Sequence, residues 1–325
     1  MTVLREAAVR AISLAPCWHE PQAESDERWV VDCTLGGGGH AQALLEALPS
    51  VKLLGMDRDR DALAAAAARL QPFGQRVHMV HAPFADLASV RQHLGIDTIF
   101  GIVADLGVSS HQFDTAARGF SFRMDGPLDM RMDPSRGPTV LDLLSDVRLE
   151  DLADVLYAYG DIRRSIGTAR ILLEEVGKGA VTTAVLAERL VARLGRQRSL
   201  HPATQVFQAL RIWVNGELEQ LEQLLVAAPT ALAPGASLAI ISFHSGEDRL
   251  VKHRFAELAK RGGEFALPQR KPILADEDEL RANPRARSAK LRVLQRRVET
   301  EASEVMGEDE DEDEGEHGDG DGDGD

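Results

Sequence analysis

Trp29-Val30-Val31-Asp32-Cys33-Thr34-Leu35-Gly36-Gly37-Gly38-Gly39-His40 is the stretch whose reading decides the fold. Arg28 to Cys33 is a short β-branched, apolar run with the pattern of a buried strand. Four glycines follow, and Ala41 to Leu48 reads as the start of a helix. A strand feeding a helix through glycines lets backbone N–H groups approach a ligand closely, at the positive end of the helix dipole. Further on, Lys52 to Asp57 reads as a second strand ending in a carboxylate. That spacing puts Asp57 where nucleotide-binding α/β folds hold the two ribose hydroxyls of an adenosine. The two strands together predict a nucleotide or nucleoside-cofactor site.

Working outward, Val3 to Ile12 has helical periodicity, and a polar connection leads from it to the first strand. Cys17 and His19 are metal-competent residue types, but no second pair stands at ligand spacing, so an irregular loop is expected and no metal site. After Asp57, Asp59 caps a helix through Ala62 to Leu70 that Pro72-Phe73-Gly74 stops. Val77 to Ala82 is a third strand. Phe84 leaves it where an adenine would lie, so its ring either stacks there or caps the core. Ile96 to Asp105 is a fourth strand. An acid at the carboxyl end of a central strand, opposite the glycine loop, stands where doubly wound sheets place their chemistry.

The α/β rhythm then stops. From about Thr115 to Pro202 no strand is expected: a Gly/Pro-punctuated loop (118–134) precedes helices at 141–144, 150–159, 162–176 and 182–194. This helical insertion carries Arg163, Arg164, Arg170, Arg189, Arg193, Arg196 and Arg198, a candidate phosphate-binding surface. His201-Pro202 opens one long helix reaching Leu225. Ala233-Pro234-Gly235 turns the chain into a fifth strand, Ser237 to Phe243, and a helix runs from His244 to Lys260. Gln269 to Leu274 is expected to be an edge strand, Asp276 to Ala282 a helical turn, and the segment around Leu291 and Val293 a last strand with a basic face.

Charge is unevenly placed. The formal net charge of −15 comes from 52 acids against 37 Lys and Arg, but fifteen of those acids lie in 299–325, which has no base. Removing them leaves 37 acids against 37 bases, so the folding part is neutral and the acidity belongs to a low-complexity tail read as disordered and solubilising. Its Asp-Gly repeat lacks the spacing and closing glutamate of a calcium loop. Two cysteines make no disulfide framework, which suits the cytoplasm. No apolar run approaches the roughly 20 residues that span a bilayer, and no export signal is read.

Gly36 to Ala41 formally satisfies the dinucleotide pattern G-x-G-x-x-G/A, so an NAD-dependent dehydrogenase is one reading. A dinucleotide fold needs a second mononucleotide half, however, where this chain has a long helical insertion. S-adenosylmethionine needs one adenosine site and room for a methionine tail, and Asp32 suits the tail's ammonium. A Ser-His-acid hydrolase is set aside, because the chain has no Gly-x-Ser-x-Gly elbow.

Six motifs, in order, carry a resemblance to a known family. They are Asp32 to His40; Asp105-Leu106-Gly107-Val108-Ser109-Ser110; Arg118 to Asp133; His201 to Asn215; Ser242 to Arg249; and Asn283 to Ser288. Over about residues 2 to 298 the chain resembles the bacterial small-subunit (16S) ribosomal RNA cytosine-N4 methyltransferases, the RsmH or MraW type. The resemblance implies an α/β fold, a doubly wound Rossmann-like class I methyltransferase sheet with an inserted all-helical substrate-recognition domain. The implied division is 1–114 and 216–298 for the methyltransferase domain, 115–215 for the insertion and 299–325 for the tail. It implies S-adenosyl-L-methionine as cofactor and methylation of the exocyclic amine of a cytidine in the decoding region. The partner would be 16S ribosomal RNA in the small subunit or its late assembly particle, with the oligomeric state open, a homodimer included. A non-catalytic RNA-binding ribosome-assembly factor is the rival from another class.

Carried over residue by residue, Gly38, Gly39, His40, Asp57, Phe84, Asp105 and Gln112 would line the cofactor site. Phe120, Phe122, Arg123, Arg131, His201, Arg211, Asn215 and His244 would face the substrate. A cytosine amine is a poor nucleophile, because its lone pair is delocalised into the ring. It has to be aligned with the methyl and relieved of a proton. Asp105, or a carbonyl of 106–108, is the expected acceptor, and Phe120 or Phe122 the ring that stacks on the extruded base. Two departures stand out: the histidine that usually precedes the family's first apolar run is missing, and Arg163-Arg164-Ser165-Ile166-Gly167 replaces an expected small-residue helix.

Overall fold

The computed structural model describes residues 2–19, 27–179, 181–195, 201–260 and 263–298. The apolar runs form seven strands: β1 (Trp29–Asp32), β2 (Lys52–Asp57), β3 (Val77–His81), β4 (Ile99–Asp105), β5 (Leu232–Ser242), β6 (Phe265–Ala266) and β7 (Lys290–Arg296). They make one sheet in the order β3-β2-β1-β4-β5-β7-β6. The strands from β3 to β5 are parallel, and β7 lies antiparallel between β5 and β6. Side chains alternate between two cores, as the period of a strand requires. Val31, Leu54, Met56, Ile102, Ala104, Leu238 and Ile240 belong to one cluster with Leu221, Leu224, Val251 and Phe255. Val30, Leu53, Val103, Ala239 and Ile241 belong to the other, with Ala8, Ile12, Leu44 and Leu70. Helices cover both faces, so the sheet is doubly wound.

The segment between β4 and β5 builds a third core of its own. Helices Val140–Asp146, Leu149–Gly160, Ser165–Gly177, Thr183–Leu194 and Pro202–Asn215 bury Leu152, Leu156, Leu172, Leu186, Val206 and Leu210 together. One isolated bridge, Pro127 to Thr182, is the β-structure described between 115 and 195.

Four details differ from the sequence reading. The single long helix from His201 is two helices, Pro202–Asn215 and Glu217–Ala231. Gly216 between them is left-handed (φ 57°), a conformation that ends a helix and favours glycine. The Ala233-Pro234-Gly235 turn lies inside β5 as a register irregularity opposite Ile99 and Gly101, with no room for a side chain. A Cβ on Gly235 would stand 2.7 Å from the Cys17 amide nitrogen. The edge strand is Phe265–Ala266, and the 269–274 segment contributes only the bridge from Ile273 to Leu291. The basic side of β7 is partly offset, since Lys290 and Arg292 share the one carboxylate of Asp248, at 2.9 and 2.7 Å. The acidic tail 299–325, Arg196 and Arg198 lie outside the described residues.

Candidate active site

The carboxyl ends of β1, β2 and β4 open on a cleft of about 320 Å³, lined by the glycine loop, Asp57, Phe84, Asp105 and Gln112. Gly36 and Gly38 hold the loop in left-handed turns (φ 50° and 76°), and Gly38 is the N-cap of the helix Gly39–Ala47. Gly38 itself faces away from the cleft, against Leu70 and Ala66 of the helix Arg60–Leu70. Asp57 ties the loop to β2 by accepting from the amides of Gly36 (2.7 Å) and Asp59 (2.8 Å). Burial raises the Asp57 carboxyl above the usual range against the pull of those two amides.

Asp105 is held at the end of β4 by its own amide, which donates to Thr34 Oγ1 (2.6 Å). Its Oδ1 is sealed from solvent with no hydrogen-bond partner. Burial, and then the neighbouring charges of Asp32, Glu247 and Glu279, raise this carboxyl well above its ordinary value. Its Oδ2 stands 3.8 Å from His40 Nδ1. The other His40 nitrogen, Nε2, lies 3.1 Å from the Val3 carbonyl. A carbonyl only accepts, so Nε2 carries the hydrogen and Nδ1 presents its lone pair to Asp105. Burial pushes the ring down to about 4, so it is neutral at physiological pH. Asp32 does not line the cleft. It is buried beneath the loop, where it accepts from the Thr34 amide (3.1 Å), and burial raises it to about 7.

Gln112 lines the cleft through a side chain used at both ends. Oε1 accepts from the Ser109 amide (2.9 Å), and Nε2 donates to Asp59 Oδ2 (2.7 Å). Asp59, the N-cap expected from sequence, is also the hub of a buried network. Arg118 donates to Asp59 Oδ2 (2.9 Å), and through its other nitrogen to the carbonyls of Arg131 (3.1 Å) and Met132 (2.8 Å). One guanidinium thus joins the loop after β2 to the start of the insertion.

Most of the expected substrate residues are engaged in the fold. Phe120 is buried in the third core. Phe122 stacks on His201 (ring centroids 4.7 Å) and packs edge-on against Phe207. Neither lines the cleft: Phe120 is part of the insertion core, and Phe122 is half-buried against it. His201 caps the helix Pro202–Asn215 by accepting from the Ala203 amide (3.2 Å). Arg131 is bidentate to Asp129 (2.8 Å twice), and Arg211 is bidentate to Glu217 (2.8 Å twice). Asn215 accepts from the Met132 amide (2.7 Å) and donates to the Met130 carbonyl (2.8 Å). His244 faces Glu247 (3.2 Å). Burial opposes the Glu247 charge, but His244, Arg211 and the Phe243 amide keep its carboxyl below its ordinary value. Arg123 is exposed, and its guanidinium has no ion pair among the described residues. Sequence reasoning missed Arg58, Gln220, Phe243 and Glu247 as lining residues. Only the Ser242–Arg249 motif pointed toward the last two.

The family model described as the MraW methylase family matches residues 1–297. The ribosomal RNA small subunit methyltransferase H of Sorangium cellulosum is 49% identical over 270 residues, covering 82% of this chain and 84% of that one. The protein of the same name from a Cyanothece strain is 46% identical over 296 residues, 90% of this chain and 93% of its own. That of Bradyrhizobium diazoefficiens is 44% identical over 281 residues, with 82% and 85% covered.

Proposed function

This chain belongs to the MraW methylase family, and we propose that it methylates the exocyclic N4 amine of a cytidine in the decoding region of 16S ribosomal RNA. S-adenosylmethionine is the methyl donor, supplying an electrophilic methyl on a positively charged sulfur. The observation that carries the reading is Asp105: a carboxyl at the end of β4, beside the glycine loop, with one sealed oxygen that nothing meets. The residues present fit that donor. Gly39 and His40 approach it from the loop that Gly38 shapes, Asp57 takes the ribose hydroxyls, Phe84 faces the adenine, and Gln112 closes the wall.

In this reading Asp105 accepts the proton that the cytosine nitrogen loses. Its carboxyl, raised by burial and by neighbouring acids, is a stronger proton acceptor than an ordinary carboxylate. His40, neutral and fixed through Val3, holds the adjoining wall without adding a competing charge. With Phe120 inside the insertion core and Phe122 packed against it, Phe243 takes over as the ring beside the Asp105 turn. It lies 3.8 Å from the point where a Gly107 Cβ would be. We assign the insertion, 115–215, to RNA recognition, and 1–114 with 216–298 to the methyl-transfer domain. Arg123, Arg163, Arg164 and Arg170 are the exposed cations of that insertion without ion pairs among the described residues.

A dehydrogenase is disfavoured by topology. The sheet beyond β5 continues through the antiparallel β7, where a dinucleotide fold continues its parallel second half. No helix among the described residues is long and apolar enough to cross a membrane.

The test uses small ribosomal subunits from cells lacking this enzyme, incubated with the purified protein and S-adenosylmethionine. Nucleoside mass spectrometry of the digested RNA is expected to show a cytidine bearing its new methyl on N4, and Asp105→Ala is expected to abolish it. Methyl on another atom refutes the cytidine-N4 assignment. An intact, RNA-binding protein that produces no methylated nucleoside supports the non-catalytic assembly factor.

A further inference from the structure

Two polar atoms of the cleft have no partner and no part in the chemistry above. Arg58 directly follows Asp57, and Gln220 lies in the first turn of the helix Glu217–Ala231. Both are pinned by one carbonyl. Arg58 Nη1 donates to Asn215 O at 2.9 Å and Gln220 Nε2 donates to it at 2.6 Å. The second bond also fixes the orientation of the Gln220 amide, since only its nitrogen can donate to a carbonyl. Oε1 is left over. Gln220 Oε1 and Arg58 Nε are each sealed from solvent without a hydrogen-bond partner, and both residues line the cleft. A sealed acceptor and a sealed donor left unmet are costly to a fold. Other such atoms lie elsewhere among the described residues, and what sets these two apart is that their residues line the cleft, where a ligand can satisfy them.

Their neighbours say which part of a ligand that is. Arg58 adjoins the carboxylate assigned to the ribose. The helix carrying Gln220 packs against the turn Phe84–Asp86, and Phe84 packs against the core cluster that contains Leu221. We propose that Gln220 and Arg58 read the amino edge of the cofactor's adenine. Gln220 Oε1 accepts from the exocyclic amine, and Arg58 Nε donates to the ring nitrogen beside it. This rests on the assignment of Asp57 and Phe84 to ribose and adenine made above. An acceptor and a donor on side chains anchored to one carbonyl complement the amine and ring nitrogen of adenine. Hypoxanthine puts a carbonyl where the amine stood, so acceptor faces acceptor.

The test compares binding of S-adenosylhomocysteine and S-inosylhomocysteine to the full chain by titration calorimetry, without RNA. Wild type is expected to prefer the adenosyl ligand by ~100-fold, the upper range for leaving one buried donor or acceptor unsatisfied. In Gln220→Met that preference is expected to shrink ~10-fold, mostly through weaker binding of the adenosyl ligand. The ratio is read on two ligands identical elsewhere, so a general loosening of the fold does not imitate the result. A wild-type preference under about threefold overturns the proposal, as does an unchanged ratio in Gln220→Met. Cytosine has the same amine-and-nitrogen edge, and a Gln220 that served the substrate base would give that unchanged ratio. Should Gln220→Met fail to fold, the wild-type ratio decides alone. If S-adenosylhomocysteine does not bind at all, the methyltransferase reading falls, and this proposal with it.

Discussion

The two regions that hold the candidate residues treat their polar atoms in opposite ways. At the ends of β2 and β4, and on the helix facing them, sealed atoms go unmet: Asp105 Oδ1, Arg58 Nε and Gln220 Oε1. In the insertion and at its junctions most of the buried candidates are satisfied. Arg118 holds Asp59, Arg131 holds Asp129, Arg211 holds Glu217, and Asn215 stitches residues 130 and 132 to its helix. A polar group whose bonds are complete is already holding the fold, and removing it is felt as lost stability. A sealed group with an empty valence leaves the fold unaided, and removing it is felt as lost chemistry. Motifs alone do not separate the two kinds.

The largest effect that can break this contrast is at Arg118. Arg118→Met leaves Asp59, which is 1% exposed, without its cation. Breaking a buried pair in this way costs about 3–5 kcal/mol, and urea unfolding should show it. Asp105→Asn is the matching change on the other side. It should lower turnover ~100-fold or more while leaving the unfolding midpoint unchanged or slightly raised, because burial and the neighbouring Asp32 and Glu247 oppose ionisation of this carboxyl. If Asp105→Asn destabilised the fold as much as Arg118→Met, the contrast would be lost.

A smaller effect lies under the glycine loop. Native Asp32 keeps its proton up to about pH 7, whereas the unfolded chain releases it near 3.9. The native state therefore binds more protons across that window, and the stability from this site falls as pH rises through it. Relative to Asp32→Asn, wild type should lose about 2 kcal/mol of unfolding free energy between pH 5 and pH 8.

The smallest effect on the fold is expected at the insertion surface. Arg189 and Arg193 are tied to Glu174 and Glu175. Arg163, Arg164 and Arg170 are exposed, with no ion pair among the described residues. Changing the latter three to Ala should shift stability by less than ~0.5 kcal/mol. The salt dependence of RNA binding should fall by roughly 0.7–0.9 in logarithmic slope per arginine. An unchanged slope would remove this surface from the RNA contact.

Much of the fold was legible because its signals are local. Strands β1, β2 and β4 announce themselves by their apolar runs, and Asp59 by its place before an alanine-rich helix. Where the reading slipped, the deciding contact was distant. Ala233-Pro234-Gly235 has the composition of a turn, yet sheet pairing with β4 draws it into a strand. A two-residue edge strand carries no periodicity of its own. In the site, Asp57, Phe84, Asp105 and Gln112 were legible as motif residues. Arg58 and Gln220 were not, because their roles come from a shared bond to Asn215, 157 and 5 residues away in the chain. Phe120 and Phe122 misled for the opposite reason. An aromatic in a loop motif looks available until the helices that bury it are placed.

The cleft wall runs from Thr2 to Arg285, and the Leu4 amide is fixed by Glu279, 275 residues later. This gives the chain an order of assembly during its own synthesis. By the time residue 231 has emerged, β1 to β4 can pair and the insertion can close around its private core. The β4 edge nonetheless stays open until β5 arrives, and the β5 edge until β7 arrives. An open parallel edge invites pairing with the wrong partner. A nascent chain of this protein is thus most exposed to aggregation at the sheet edge next to Asp105, until β5 covers that edge and β7 covers β5 in turn.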